Sequence, residues 1–547
     1  MMIVEKTIKH RATRLVFATA ADLACAVLVR LPHLACLLLT ALASLAAEAR
    51  RPNILWLVAE NIGPDLGCYG YPAVRTPNLD RLAQEGMRYR LAFSTSPFCS
   101  PSRSAMLTGR YQTSIGAHHH RSHFIEGLDA DFKLPAGVRP FTQLLAEAGY
   151  YCANIKTIAG RPVGTGKTDF NFKLTDEPLM AETPGKGRSA EKNKRNNSNF
   201  ARAFAGDEWT NLTKHRPFYA QVNLPTVERT IKGWTGSASN PWNGQTHPAI
   251  TDPNSVTVPP YYPDHEITRK DWAGYLDAVG GMDTRAGEIL RRLEADGLAD
   301  DTIVIFFADN GRLEHRGHGF CYDSGDRVPF IIRWPKHFPA PRQYHAGTVN
   351  EQLISLIDLT ATTLSFAGLP KPARTHSQIF IGDQAEPRTA AFIARDRHDE
   401  CVNRIRAIRT ERWRYIRNYM PEQTWMAWHR YKDACYPVVP LMRKLFAEGK
   451  LTGPPLALMA ATMPAEELYD TEADPYEINN LAKSPDPGHQ KIRAELRTRL
   501  EAWIEETQDQ GRSPEDPRVE AYMQRQMHEL FGTPSYYPAF WQPEHSR

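Results

Sequence analysis

Between residues 53 and 59 the chain runs Asn-Ile-Leu-Trp-Leu-Val-Ala without a charge, then turns polar at Glu60 and Asn61. A short run that is apolar at nearly every position, rather than at alternate ones, predicts a strand buried on both faces of a mainly parallel sheet. Thr76-Pro77 then offers an N-cap and a first-turn proline. Leu79, Leu82 and Ala83 recur at helical spacing until Gly86, so a helix follows. The pattern repeats as helix over 141–148 closed by Gly149, strand over 218–223, long amphipathic helix over 272–298 and wholly apolar strand over 303–308. That second apolar strand also ends in a polar pair, Asp309-Asn310, and a further strand is predicted over 328–333. Such alternation specifies an α/β sheet with helices on both faces, in which ligands collect at the C-terminal strand edges. Glu60, Asn61, Asp309 and Asn310 are therefore expected to meet in space.

From about residue 375 the segments become short and mixed, as at 391–394 and 413–417, which predicts a small antiparallel sheet with a packed helix. The expected organisation is a catalytic domain over 50–372, a C-terminal α+β subdomain over 373–484, and a helix with a Pro- and Tyr-rich tail over 485–547. Ahead of these, Lys6, Lys9, Arg11, Arg14 and Arg30 precede an apolar run over 34–47 with small-x-small sites at Ala41-Leu42-Ala43 and Ala47-Glu48-Ala49. That is the pattern of a signal peptide over 1–49, which predicts export to the periplasm or beyond.

Bulk composition narrows the picture little further. With 547 residues, 42% hydrophobic and 23% charged, the chain is an ordinary globular one, long enough for two domains. A formal charge of +4, with Lys and Arg spread among Asp and Glu, excludes nucleic acid as a partner. The exception, the basic stretch 186–195, is expected to be a solvated loop. Of eight cysteines, Cys25 and Cys36 fall in the leader. Cys68, Cys99, Cys152, Cys321, Cys401 and Cys435 show neither CxxC pairs nor zinc spacing. No disulfide framework is evident, although an oxidising compartment would permit one or two bridges.

One cysteine has a chemical context. Cys99-Ser100-Pro101-Ser102-Arg103 is followed by Ala105-Met106-Leu107-Thr108-Gly109-Arg110 and preceded by Thr76-Pro77-Asn78-Leu79-Asp80. Asp309-Asn310-Gly311, Tyr322-Asp323-Ser324-Gly325 with Arg327-Val328-Pro329, and Glu467-Leu468-Tyr469-Asp470 follow. Together these resemble the type I, formylglycine-dependent sulfatase family over nearly the whole chain beyond the leader, leaning toward its heparan N-sulfatase or N-sulfoglucosamine sulfohydrolase-like members. The resemblance implies an alkaline phosphatase-like fold: a central mixed sheet flanked by helices, with a smaller C-terminal α+β domain. It implies that a formylglycine-generating or sulfatase-maturating enzyme oxidises Cys99 to formylglycine. The hydrated aldehyde has two geminal hydroxyls, so one attacks sulfur and the other expels sulfate as the carbonyl reforms. It implies, too, a calcium ion held by Glu60, Asn61, Asp309 and Asn310 with residue 99, a set of carboxylate and amide oxygens suited to a hard cation. The family usually has two acids at the first strand end. Asn61 leaves that cage one negative charge poorer.

The resemblance also distributes roles. Arg103 is expected to hold the nucleophile and substrate oxygens by charge-assisted bonds. Lys167 is expected to grip sulfate, and Asp169 falls where many members have a histidine contacting formylglycine. The stretch from Gly160 to Thr168 mimics a phosphate loop, but five residues rather than four separate Gly160 from Gly166, and Pro162 interrupts the amide cradle. Glu228 occupies or adjoins the place of the leaving-group acid, a task that needs a raised pKa. His318 replaces a sulfate-binding lysine and would bind better protonated. His118, ahead of His120 in the His118-His119-His120 run, and Arg316 are expected to touch substrate. The implied activity is hydrolysis of a sulfate ester or sulfamate on a sulfated carbohydrate, a glycosaminoglycan or other polysaccharide fragment. The rivals are a phosphoesterase on the same fold and a glycan-binding pseudoenzyme, the latter motivated by Asn61, Glu228 and His318. Nothing in the chain fixes an oligomeric state.

Overall fold

All seven residues of β1 (Asn53–Ala59) are buried, as an uninterrupted apolar run demands of a central strand. The computed structural model describes residues 50–121, 133–172, 174, 203–224, 227–230, 233–234 and 249–532. The expected leader over 1–49, the basic stretch 186–195 and the residues beyond 532 lie outside the described residues. Residues from Pro52 onward form one compact unit.

The chain continues through β2 (Met87–Phe93), β3 (Tyr151–Ile158), β4 (Arg161–Pro162), β5 (Gly206–Glu208) and β6 (Phe218–Asn223). After a short hairpin of β7 (Arg229–Thr230) and β8 (Gly233–Trp234) come β9 (Thr302–Ala308), β10 (Arg327–Arg333) and β11 (Val349–Ser355). The large sheet has the order β11-β2-β10-β9-β1-β6-β3-β4, with β5 also on β3. Its centre is parallel: β9, β1, β6 and β3 run the same way. β10 is antiparallel to both β9 and β2, which makes the sheet mixed.

Trp56 on β1 anchors the core, its ring 5.1 Å from Phe141, 5.2 Å from Tyr219 and 5.3 Å from Phe307 by centroid. The long amphipathic helix spans Glu266–Ala295 and buries Trp272, Leu276, Val279, Ile289 and Leu293. It also corrects the expected N-cap at Thr76. The helix Pro77–Glu85 does carry proline in its first turn, but Thr76 makes no side-chain cap. Asp283 accepts from the amides of Asn78 (3.3 Å) and Leu79 (2.8 Å). The Thr76 hydroxyl is instead engaged by the Gly67 amide (2.8 Å) and Asp80 (3.1 Å). A carboxylate from a packed neighbour satisfies the first turn better than a local hydroxyl already engaged elsewhere.

The second sheet is antiparallel, in the order β12 (Ala391–Arg395), β13 (Ile405–Arg409), β14 (Trp413–Asn418), β15 (Glu466–Asp470). Helix Pro487–Glu506 packs on it through Leu496, Leu500, Trp503 and Ile504. The two sheets are tied by Arg414, which is fully buried on β14. It donates to both carboxylate oxygens of Asp326 (2.8 and 2.7 Å), to Asp323 (2.6 Å) and to the Cys321 carbonyl (2.7 Å), all beside the start of β10. Cys68, Cys99, Cys152, Cys321, Cys401 and Cys435 are all free thiols. Among the described residues no helix is long and apolar enough to cross a membrane.

Removing one partner of a buried ion network strands the others without compensation. Arg414→Ala is therefore expected to lower stability by about 3–5 kcal/mol, read from the shift in urea unfolding midpoint. A shift no larger than that of an exposed-arginine control would show that the two sheets do not depend on this contact.

Candidate active site

Because β1 and β9 pair in parallel with Ala59 opposite Ala308, the polar pairs that end them emerge side by side. The Asp309 amide still donates to the Ala59 carbonyl at 3.1 Å, so the two strand ends are held in register. On the other side of β1, β6 ends in Asn223, whose amide donates to Asn154 on β3 (2.9 Å) and to the Lys167 carbonyl (3.0 Å). Four neighbouring parallel strands thus deliver polar groups to one edge of the sheet.

Cys99 is the first residue of the helix Cys99–Thr108, every residue of which is buried. Ser102 fastens that helix to β9 by donating to the Asp309 carbonyl at 2.6 Å. One turn in from Cys99, Arg103 spreads its fork over three strand ends: Nε to Asp309 (2.7 Å), Nη1 to Asn223 (2.6 Å) and Nη2 to Glu60 (3.2 Å). Lys167 reaches the other oxygen of Glu60 at 2.9 Å and lies 3.7 Å from Asp169. The donors of Arg103 are turned to the strand-end groups, and Cys99 is among its electrostatic neighbours.

Two groups stand nearest the Cys99 sulfur. His120 Nε2 is 3.9 Å away, with its Nδ1 3.0 Å from Asp399, and Arg121 Nη2 is also 3.9 Å away. Arg121 donates twice to Asp169, at 3.3 Å each. Burial, with Asp169 and Asp309 adding and Lys167 and Arg121 opposing, pushes the Cys99 thiol up to about 11. An unmodified Cys99 is then protonated at neutral pH and a poor nucleophile. Asn61, Arg121, Asp169 and Asp399 all have positive φ, between 42° and 58°. Non-glycine residues held in that region cost energy and gather where a side chain must be aimed.

The remaining expectations divide. His118 is turned elsewhere, toward Asp396, Arg406 and Asp509, with its ring against His119. The residue delivered to Cys99 is His120, whose amide is pinned to the Arg397 carbonyl at 2.9 Å. Glu228 has Tyr431 and Cys435 as its electrostatic neighbours, and no described contact brings it to Cys99. Arg316 is a structural clamp: it donates to the carbonyls of Tyr476 (3.1 Å) and Glu477, and lies 3.6 Å over the ring of Tyr322. His318 is buried behind Phe98, with ring centroids 6.4 Å apart. Burial, then Lys432, holds its imidazole well below the ordinary value, so a protonated His318 is disfavoured. The Gly160–Thr168 stretch contains β4 rather than a phosphate cradle. Sequence reasoning missed Arg121 and Asp399. Arg121 directly follows the histidine run, whereas Asp399 belongs to no motif.

The strand-end oxygens fit a hard cation. Asp309 Oδ1 and Asn310 Oδ1 are buried without a hydrogen-bond partner among the described residues. Asn61 Oδ1, which accepts from Asn310 at 2.9 Å, retains a second lone pair. Burial raises the Asp309 carboxyl against the pull of Arg103. A divalent cation would answer both the orphaned oxygens and that desolvation.

A mixed sheet with two acid-amide pairs at adjacent parallel strand ends, facing a helix that begins at a candidate nucleophile, defines a hydrolase of the alkaline phosphatase-like fold. A solved structure of a 2-O GAG sulfatase shares that fold with a TM-score of 0.56 at 20% identity, covering 86% of this chain and 96% of the other. Residues 52–369 match the sulfatase family model, and residues 313–436 match the model for the C-terminal region of N-sulphoglucosamine sulphohydrolase. The chain belongs to the sulfatase family and is a sulfuric ester hydrolase. An ulvan-active sulfatase of Formosa agariphila is 33% identical over 86% of this chain and 77% of its own length. Human N-sulphoglucosamine sulphohydrolase is 28% identical over 84% and 91%.

Gly311 offers a test of the cage geometry. A Cβ there would lie 2.6 Å from the backbone carbon of Gly325 and from the Ser324 carbonyl oxygen, neither of which can swing aside. Gly311→Ala is expected to cost about 1–3 kcal/mol and to displace Asn310. Both would be read by thermal unfolding with and without calcium, and an unchanged calcium increment would show that Asn310 had not moved.

Proposed function

We propose that this chain hydrolyses a sulfate ester or sulfamate on a carbohydrate, using formylglycine made from Cys99 and a calcium ion held by Glu60, Asn61, Asp309 and Asn310. The observation that carries the reading is the pair of orphaned oxygens on Asp309 and Asn310, in a site where Asp309 and Lys167 both act electrostatically on residue 99. Formylglycine supplies a hydrated aldehyde as nucleophile and exit route, and calcium supplies charge to the sulfuryl oxygens when bound.

The chain's own residues do the rest. Arg103 bonds one oxygen each of Glu60 and Asp309 and holds the two carboxyl groups in line. Lys167 and Arg121 flank residue 99 from two loops and favour an anion there. Arg103, Lys167 and Arg121 face Glu60, Asp309 and Asp169, and a bound divalent ion would add the positive charge that a sulfuryl dianion needs. His120, oriented by Asp399, presents Nε2 to residue 99 as the hydrogen-bonding group of the reacting centre.

Sulfated carbohydrate is the substrate class suggested by the ulvan-active and N-sulphoglucosamine-acting relatives. A leader over 1–49 would export the enzyme, and a maturating enzyme is its required partner. The decisive experiment is a tryptic mass spectrum of the peptide carrying residue 99, from protein made with a maturation enzyme, joined to sulfate release from ulvan and from N-sulfated glucosamine. Formylglycine with sulfate release is expected. Persistent cysteine, with the maturation enzyme active on a control, would leave a glycan-binding protein instead.

Loss of one hydrogen-bonding group at a reacting centre lowers kcat by about a hundredfold, and that is expected for His120→Ala. Glu228→Ala should retain near wild-type kcat across pH. The reverse ranking would restore Glu228 as the leaving-group acid.

A further inference from the structure

A second set of ligating atoms stands beside residue 99, distinct from the strand-end oxygens. His120, His398 and Asp399 each turn one ligand atom inward, all within 4.8 Å of one another, and all three residues are buried. His318 joins them with its ring centroid 4.7 Å from that of His398. Its Nδ1 is buried and has no hydrogen-bond partner among the described residues. A buried ring nitrogen left unpaired costs free energy and calls for an explanation such as a bound ion.

The surroundings prepare these atoms for a metal. His429 stands beside the same carboxylate, its Nε2 3.5 Å from Asp399 while its Nδ1 accepts from the Lys432 amide at 3.3 Å. Groups packed behind a ligating carboxylate help to orient it. The loop is rigid, since His398 and Cys401 exchange both backbone hydrogen bonds at 2.9 Å, and Arg397 donates to the Asp399 carbonyl at 2.7 Å. The nearby ammonium of Lys432 is turned to the carbonyls of His318 (2.6 Å) and His315 (3.3 Å), away from the carboxylate.

We propose that His120, His398 and Asp399, with His318 as fourth donor, form a site for a divalent ion of the zinc class, separate from the calcium site. Three imidazoles and one carboxylate suit a borderline ion in tetrahedral coordination, whereas the strand-end set offers only oxygen. Its donors come from the turn at 118–121, the loop at 315–319 and the loop at 396–401, so the ion would lock three segments together. It would also fix the ring of His120, whose other nitrogen faces residue 99.

The test uses the full chain with calcium retained, dialysed into zinc-free buffer and titrated with zinc chloride by calorimetry. Elemental analysis and thermal unfolding complete it. One zinc per chain is expected, with a rise in melting temperature that is lost in His398→Ala and in Asp399→Asn but kept in Asp309→Asn. Cobalt(II) added to wild-type protein should give the visible d–d absorption of a tetrahedral nitrogen-rich site, a reading that does not depend on any variant folding. No zinc heat and no cobalt band in wild type, or equal zinc in wild type and a folded His398→Ala, would overturn the proposal. Protein with unmodified Cys99 suffices, so failure of the sulfatase reading would leave this outcome untouched.

Discussion

The site is organised around the guanidinium of Arg103. Glu60 and Asp309 are buried, and two like charges so close in a low-dielectric edge repel each other unless a cation stands between them. Arg103 bonds one oxygen of each and holds Asn223 with its third donor, so one cation fixes the ends of β1, β9 and β6. Its placement four residues after Cys99, at the start of a helix clamped to β9 by Ser102, ties the nucleophile position to the same frame. The second oxygen of Asp309 and that of Asn310 are left for a ligand because the first has been spoken for.

That dependence explains which parts of the molecule were legible in the sequence. β1 and β9 announce themselves because a centrally buried parallel strand must be apolar on both faces and must turn polar where it meets solvent or ligand. Their shared register follows from topology, and it carries Glu60, Asn61, Asp309 and Asn310 together as the pattern implied. Side-chain direction in loops is not legible in the same way. His118 and His120 are equivalent in composition, and only the pinning of the His120 amide to Arg397 decides which one faces Cys99. Arg316 holds the right place along the chain, yet it is drawn to the carbonyls of Tyr476 and Glu477. The expected capping of Pro77–Glu85 by Thr76 fails for the same reason, since the tertiary partner Asp283 displaced the local one.

The departures from the family pattern make electrostatic sense when taken together. Asp169 stands where many members have a histidine, which would add a negative charge beside the nucleophile. It recruits Arg121 through two hydrogen bonds, and Arg121 in turn reaches Cys99. Both residues accept positive φ to do so, and that strain is sustained by the ion pair it permits. The resemblance puts Asn61 where a carboxylate is usual and His318 where a lysine is usual, two changes of charge in opposite directions.

The replacement of His by Asp at 169 also shifts where an imidazole can act. With Asp169 committed to Arg121 and Lys167, and His318 buried behind Phe98, the ring within reach of residue 99 is His120. An imidazole aimed by a carboxylate keeps one nitrogen fixed and the other presented to the reacting centre. Here the aiming carboxylate, Asp399, comes from the C-terminal half of the chain rather than from the sheet that carries Cys99. The chemistry of residue 99 then depends on how firmly the 396–401 loop is docked, which makes the C-terminal region part of the active site as well as a support for it.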